Sequence, residues 1–294
     1  MENTRTKTTR NSLILLLTAA IWGMAFVSQS KGMDYMHPFT FNGVRSLIGA
    51  ASILVYILIS RKIAGDKAAP LDWKLNVKAG LLCGIFLTIA STLQQFGIKY
   101  TSVGKAGFIT TLYIIFVPMF GIFLKKKVAP VVWAAAVMAA VGMYLLCMTE
   151  SLRLGAGDIM VFLCAIAFAI QIMTVDHYAA RIDGAVVSCI QFTVCGVVCC
   201  IGALIWGQPT FGQLQEGLGA LLYAGVLSCG VGYTLQIVGQ KGLNPTVAAL
   251  IMSLESVIAT ISGWIAYKIG FLTTDQTLTA RQIAGCVIVF AAVI

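Results

Sequence analysis

The feature that most constrains this chain is a run of apolar residues that keeps recurring at membrane-spanning length. About 18 or more consecutive residues with few charges mark a helix able to cross a bilayer. Ten such stretches are legible, approximately 13–32, 40–60, 76–97, 104–124, 129–147, 156–175, 184–206, 217–238, 245–267 and 279–294. The last is the shortest, about 24 Å at roughly 1.5 Å per residue against a hydrocarbon core of about 30 Å. Composition agrees. Hydrophobic residues make up 59% of the 294 and charged residues 11%, and mean hydropathy is +0.91. A soluble domain carries about 25% charged residues. The expected fold is an all-α polytopic membrane protein.

A basic tail ahead of the first apolar run could suggest a signal peptide. No convincing small-residue cleavage site follows, and no soluble portion lies downstream to export, so the run is read as the first span. The net charge of +9 fits basic loops facing anionic headgroups rather than nucleic acid. With the N-terminus inside, the inner segments hold thirteen Lys and Arg, among them Arg10, Arg61, Lys67, Lys125–Lys127, Arg181 and Lys241. The outer segments hold six: Lys31, Lys99, Lys105, Arg153, Lys268 and Arg281. Retained basic loops set topology, so both termini are expected in the cytoplasm and the protein in the inner or plasma membrane.

The chain repeats itself. "TLQQFGIK", Thr92 to Lys99, matches "TLQIVGQK", Thr234 to Lys241, at five of eight positions with a shift of 142. A looser shift of 146 relates Trp22 to Phe168 and Arg45 to Gln191. This divides the chain into residues 1–147 and 148–294, five helices each. An odd number turns the second copy upside down, and inverted repeats are a recurring design of secondary transporters, with the solute site near the midplane between the copies.

Polar residues inside apolar runs are the candidate site. Glu255 shares a helical stripe with Ala248, Met252, Ala259, Ser262 and Ala266, small enough to face protein or a cavity. A carboxylate facing lipid costs about 2.5–3.5 kcal/mol or more. Arg45 lies with Asn42, Gly49 and Ser52. Each could meet a solute charge. They could equally pair with one another, and Arg45 could snorkel to a headgroup. Gln94, Gln95, Gln171, Gln191, Tyr233 and Gln236 also sit in apolar runs, as solute contacts or helix bridges. Trp22 is a packing, interface or cavity residue. Pro118 should bend its helix.

Nucleotide-binding loops, GxSxG, HExxH and the dinucleotide fingerprint are all missing from the sequence. No catalytic residue, metal ligand or cofactor is assigned. The nine cysteines show neither CxxC nor a nearby histidine cluster and read as small apolar helix residues. A lipid-modifying membrane enzyme would need clustered acids, bases or metal ligands, and His37 and His177 both lie away from span centres.

These elements resemble a known family. "AAIWGMAFV", "NGVRSLIGA", "YTSVGKAGFITTLYIIFVP", "LESVIATISGWI" and "RQIAGCVIVFAAV", in this order and spacing, are similar to the drug/metabolite transporter superfamily, specifically its EamA-like members. The resemblance implies helices 1–4 and 6–9 around a central solute cavity, with helices 5 and 10 at one side supporting a homodimer. It implies export of amino acids or related metabolites by alternating access, or efflux of cationic or aromatic drugs with Glu255 as counter-ion. The expected partners are a small-molecule solute and the lipid bilayer. Two departures stand out. Ser256 replaces the proline of the family's Leu-Glu-Pro, leaving a kink there without its usual cause. Lys125–Lys127 stand where a glutamate is frequent. The repeat alignment sets Glu255 opposite either Tyr113 or Val117, one helical turn apart.

Overall fold

The computed structural model describes residues 4–65, 70–124, 128–147, 155–273 and 275–293. Lys67, Lys125–Lys127 and Arg153 lie outside them. The described residues are helical and contain no strand.

The helices are α1 (Thr4–Gly32), α2 (Pro38–Ala64), α3 (Trp73–Ile98), α4 (Val103–Thr111), α5 (Tyr113–Phe123), α6 (Pro130–Cys147), α7 (Ala156–Tyr178) and α8 (Gly184–Gly202). There follow α9 (Phe211–Glu216), α10 (Leu218–Leu222), α11 (Tyr233–Gln240), α12 (Pro245–Met252), α13 (Leu254–Lys268) and α14 (Ala280–Val293). Polar caps and prolines start several of them. Asp72 accepts from Leu75 N, Ser102 from Lys105 N, and Asp183 from Ala185 N and Val186 N. Pro38 and Pro245 occupy first-turn positions, where the missing N–H is no loss.

Eight stretches are long and apolar enough to cross a bilayer; Pro130–Gly142 and Ala280–Val293 are shorter apolar helices. Large apolar side chains such as Leu54, Ile85, Phe162, Val197, Ile201 and Phe290 face outward. That surface suits hydrocarbon and would aggregate in water.

Besides the span 184–206, whose end Ala203–Gly207 is π-helical, three of the expected spans are not single regular helices. The first breaks at Leu112, between α4 and α5. Leu112 N reaches Ile109 O and Ile115 N reaches Leu112 O, the tighter three-residue spacing. Pro118 lies within α5. It cannot donate to residue 114, and its ring crowds that carbonyl, so the ladder is strained upstream of the proline.

The second break is at Ser253, between α12 and α13, and no proline causes it. Ser253 Oγ bonds Leu250 O at 2.7 Å and Ser256 Oγ bonds Ser253 O at 2.8 Å. Hydroxyls that take helix carbonyls bend the helix. The Glu255 stripe therefore does not run along one ideal helix from Ala248 to Ala266: Ala248 and Met252 belong to α12, and Glu255 lies in the first turn of α13.

The third departure is a π-helical stretch, Tyr223–Gly232, joining α10 to α11. Gly225 and Gly49 let it lie on α2. A Cβ on Gly225 would fall 2.9 Å from Arg45 O, and one on Gly49 would fall 2.6 Å from Cys229 Cβ.

Packing follows a regular plan. α2 lies on α8, and α6 on α14. α3 packs on α7 and α8; α1 packs on α11 and on the π stretch that contacts α2. α4 packs on α7 and α13, while α13 also packs on α1. The eight cysteines whose side chains are described are free.

Candidate solute cavity

Ten segments converge near the middle of the bundle on one cavity of about 560 Å³ of empty space, of which only about 30 Å³ admits the centre of a water molecule. A water needs roughly 10–15 Å³ by that measure. By that measure the cavity has room for a water or two but not for a metabolite.

Eight of the ten residues singled out above line it: Trp22, Arg45, Gln94, Tyr113, Gln171, Tyr233, Gln236 and Glu255. Two do not. Gln95 is buried on the α1 side and donates to the Gln29 carbonyl at 3.2 Å. Gln191 is buried against α3, its Cα 3.2 Å from where a Gly84 Cβ would sit. Period alone could not separate Gln94 from Gln95, because both are buried on a helix that has neighbours on two sides.

The acid and the base each arrive by a local device. Glu255 is 3% exposed and enters at the break after Ser253, where α13 starts. Its Oε1 accepts the Tyr113 hydroxyl at 3.1 Å, and Tyr113 itself is the first residue after the break at Leu112. Gly23 lets α1 approach within about the van der Waals limit, since a Cβ there would meet Glu255 O at 2.8 Å. The separation of 142 between Tyr113 and Glu255 is the shift of the longer repeat match.

Arg45 is 5% exposed. Its Nε donates to Asn42 Oδ1 at 3.0 Å, and its guanidinium carbon lies 5.5 Å from the Phe41 ring centroid. Asn42 is held in turn: its Nδ2 reaches Ser91 Oγ at 3.0 Å and Cys199 Sγ at 3.2 Å. Among the described residues no ion pair joins Arg45 to Glu255 or to any other carboxylate. The anticipated structural pair is therefore not formed, and Arg45 is deep in the bundle, lining the cavity, rather than at its edge.

Between these charges the wall is aromatic and amide. Trp22 and Tyr233 have ring centroids 4.5 Å apart, and Tyr233 and Phe192 5.0 Å apart. Gln94 Nε2 donates to Thr110 Oγ1 and Gln236 Nε2 to Gln171 Oε1, both at 3.2 Å. Trp22 Nε1, Gln171 Nε2, Gln236 Oε1 and Gln29 Oε1 are buried with no partner in the protein. A buried polar atom without a bond costs about 1–3 kcal/mol, so these atoms are groups a polar ligand or water can satisfy.

Sequence reasoning missed Gln29, Ser46, Thr110, Phe192 and Ser228, which also line the cavity. A signal existed for some of them. Gln29 is seven residues beyond Trp22, and Thr110 three before Tyr113, so each shares a helical face with a residue already chosen.

The lining is also self-similar. At the shift of 146, Trp22, Phe26 and Ser46 correspond to Phe168, Ile172 and Phe192. At 142, Leu87, Ser91, Gln94 and Tyr113 correspond to Cys229, Tyr233, Gln236 and Glu255. Every one of these fourteen lines the cavity. Arg45 is outside this pattern, because its counterpart Gln191 does not line the cavity, and Gln29, Asn42, Thr110 and Ser228 are likewise unmatched.

Comparison with known proteins agrees. The chain is 27% identical over 286 residues to a protein of Archaeoglobus fulgidus named "Uncharacterized transporter", covering 95% of this chain and 83% of that one. It is 27% identical over 256 residues to "Uncharacterized transporter YwfM" of Bacillus subtilis, covering 86% and 84%. One solved crystal structure superposes with a TM-score of 0.73 at 16% identity, over 97% of this chain and 95% of the other, which speaks to fold. A model of the EamA-like transporter family matches twice, over residues 10–148 and 155–294. With both halves matched and helices fit to cross a bilayer, this chain is a multi-pass membrane protein that belongs to the EamA-like transporter family.

Proposed function

We propose that the protein is a secondary transporter that exports amino acids or related small zwitterionic metabolites by alternating access. One observation carries the reading: Arg45 and Glu255 line the same cavity, and no ion pair joins them. A buried charge without a counter-charge is costly. A solute carrying both an ammonium and a carboxylate answers both at once. The unpartnered amide and indole atoms beside them supply further contacts.

The architecture we propose is ten spans in two inverted repeats, residues 1–147 and 148–294, with both termini in the cytoplasm and the chain in the inner or plasma membrane. The pairwise correspondence of the cavity lining supports it, as does the packing plan, in which α2 meets α8 and α6 meets α14. Rocking one repeat against the other about this centre would open the cavity to either side. The α6–α14 pair, set to one side, is the surface on which a homodimer would form.

A second reading is efflux of cationic or aromatic drugs, favoured by the Trp22–Tyr233–Phe192 wall beside Glu255. Reconstitution into proteoliposomes with a panel of radiolabelled amino acids, organic cations and sugars separates the two. Saturable flux of zwitterions that is lost in both Arg45→Gln and Glu255→Gln is expected. Flux of cations that depends on Glu255 alone would favour the drug reading. Flux of neither class would remove both.

A further inference from the structure

Away from the central cavity, a second and roomier one opens at the end of the bundle where α2 ends and α8 begins. Measured by where a water centre fits, it holds about 600 Å³. Its walls change character along their length. Toward the bundle middle they are Tyr56 and Ile57 of α2 and Thr234 and Val238 of α11. Toward the end they are Arg61, Arg181 and Lys241. Tyr56 is exposed, and Ile57 and Val238 are half-buried, so the apolar part is open to the surroundings of the bundle.

Two carboxylates, Asp72 and Asp183, line the same cavity, so the charge balance needs care. Both are engaged with helix N-termini. Asp72 caps α3 through Leu75 N at 3.0 Å, and Asp183 caps α8 through Ala185 N at 3.0 Å and Val186 N at 3.2 Å. The positive ends of those helices offset much of their charge. Asp183 Oδ2 is also 3.8 Å from Arg61, a long contact between half-exposed groups. Lys241 Nζ donates to the Ile182 carbonyl and Arg181 to the His177 carbonyl, so neither is neutralised. Three cations thus line an amphipathic groove whose two acids also cap helices, Asp183 being shared with Arg61.

We infer that this groove is a binding site for an anionic phospholipid. The headgroup phosphate sits among Arg61, Arg181 and Lys241, and an acyl chain runs past Ile57 and Val238. Basic pockets between membrane helices bind such headgroups by charge and hydrogen bonding. A free oxyanion would use the cations but not the apolar wall, which is why the lipid is the better occupant. The inference is independent of which solute the central cavity takes.

The test uses the purified full chain with three probes: dihexanoyl phosphatidylglycerol, dihexanoyl phosphatidylcholine and inorganic phosphate. Binding is read by native mass spectrometry and by the shift of the unfolding midpoint. Phosphatidylglycerol should bind at least about tenfold tighter than phosphatidylcholine, and each of Arg181→Gln and Lys241→Gln should weaken it about fivefold. Val238→Trp, which fills the apolar part without changing charge, should also abolish it. That variant decides the matter if the charge variants fold poorly. Stabilisation by inorganic phosphate equal to that by the lipid would assign the site to a soluble oxyanion and overturn the proposal. So would equal binding of the two lipids, or binding that survives Val238→Trp.

Discussion

The breaks at Leu112 and Ser253 fall within one residue of each other at the shift of 142, and they bring Tyr113, the first residue of α5, and Glu255, the second of α13, into a hydroxyl–carboxylate contact of 3.1 Å in the middle of the molecule. They are made differently. One half uses Pro118, which removes a donor; the other uses serine hydroxyls that claim carbonyls. One presents a neutral phenol, the other a carboxylate. The same contrast holds at Arg45, whose counterpart Gln191 lies outside the cavity. The comparison teaches that matched positions of the two family-matched segments differ in charge. The cavity takes its buried cation, Arg45, from one matched segment and its buried anion, Glu255, from the other.

The largest expected effect is at Glu255. Glu255→Gln keeps shape and the Tyr113 contact but removes the charge. Transport in proteoliposomes should fall by about tenfold or more, the loss of one charge-assisted contact of roughly 1.5–3 kcal/mol, with expression and folding close to normal. The pH dependence of flux should flatten with it. Wild-type rates and pH profile would remove the carboxylate from the mechanism.

Arg45→Gln should also impair flux, while its combination with Glu255→Gln bears on the comparison directly. Because no ion pair joins them, neutralising Arg45 should not rescue the folding of Glu255→Gln. A cycle of unfolding measurements should show coupling below about 0.5 kcal/mol. Strong rescue would mean the two halves do exchange a salt bridge in a state other than this one.

The two breaks predict a smaller difference. Ser253→Ala with Ser256→Ala removes the hydroxyls that claim carbonyls, whereas Pro118→Ala restores a donor. Both should straighten their helices and slow transport several-fold. The serine pair should change stability by no more than about 2 kcal/mol, since two bonds are removed and each is worth about 1 kcal/mol net. Thermal unfolding and flux measured together check this. Full activity in the serine double variant would show that only the proline-side break matters.

The smallest effect is expected at the matched amides. Gln94→Leu and Gln236→Leu should each alter solute affinity a few-fold with little change in folding yield, since an interhelical amide bond averages only about 0.6 kcal/mol. Equal effects would extend the symmetry to binding, and unequal ones would confine the solute to one half. Unchanged kinetics in both would make these residues helix bridges.

Residue identity alone determined the membrane class, because hydrocarbon tolerates only long apolar helices and the chain supplies them repeatedly. It also determined the internal repeat, since equal folds keep equal spacing, and it marked Arg45 and Glu255, since a charge in an apolar run must have a reason to be there. The placement of Gln94 but not Gln95 at the cavity depended on tertiary contacts. So did the absence of a bond between Arg45 and Glu255. A helix in a bundle has several buried faces, and its period says which residues are inside without saying which neighbour each one meets. Only the crossing of α5 and α13 with their neighbours decides that Tyr113 meets Glu255, whereas the Arg45–Asn42 bond is local to α2.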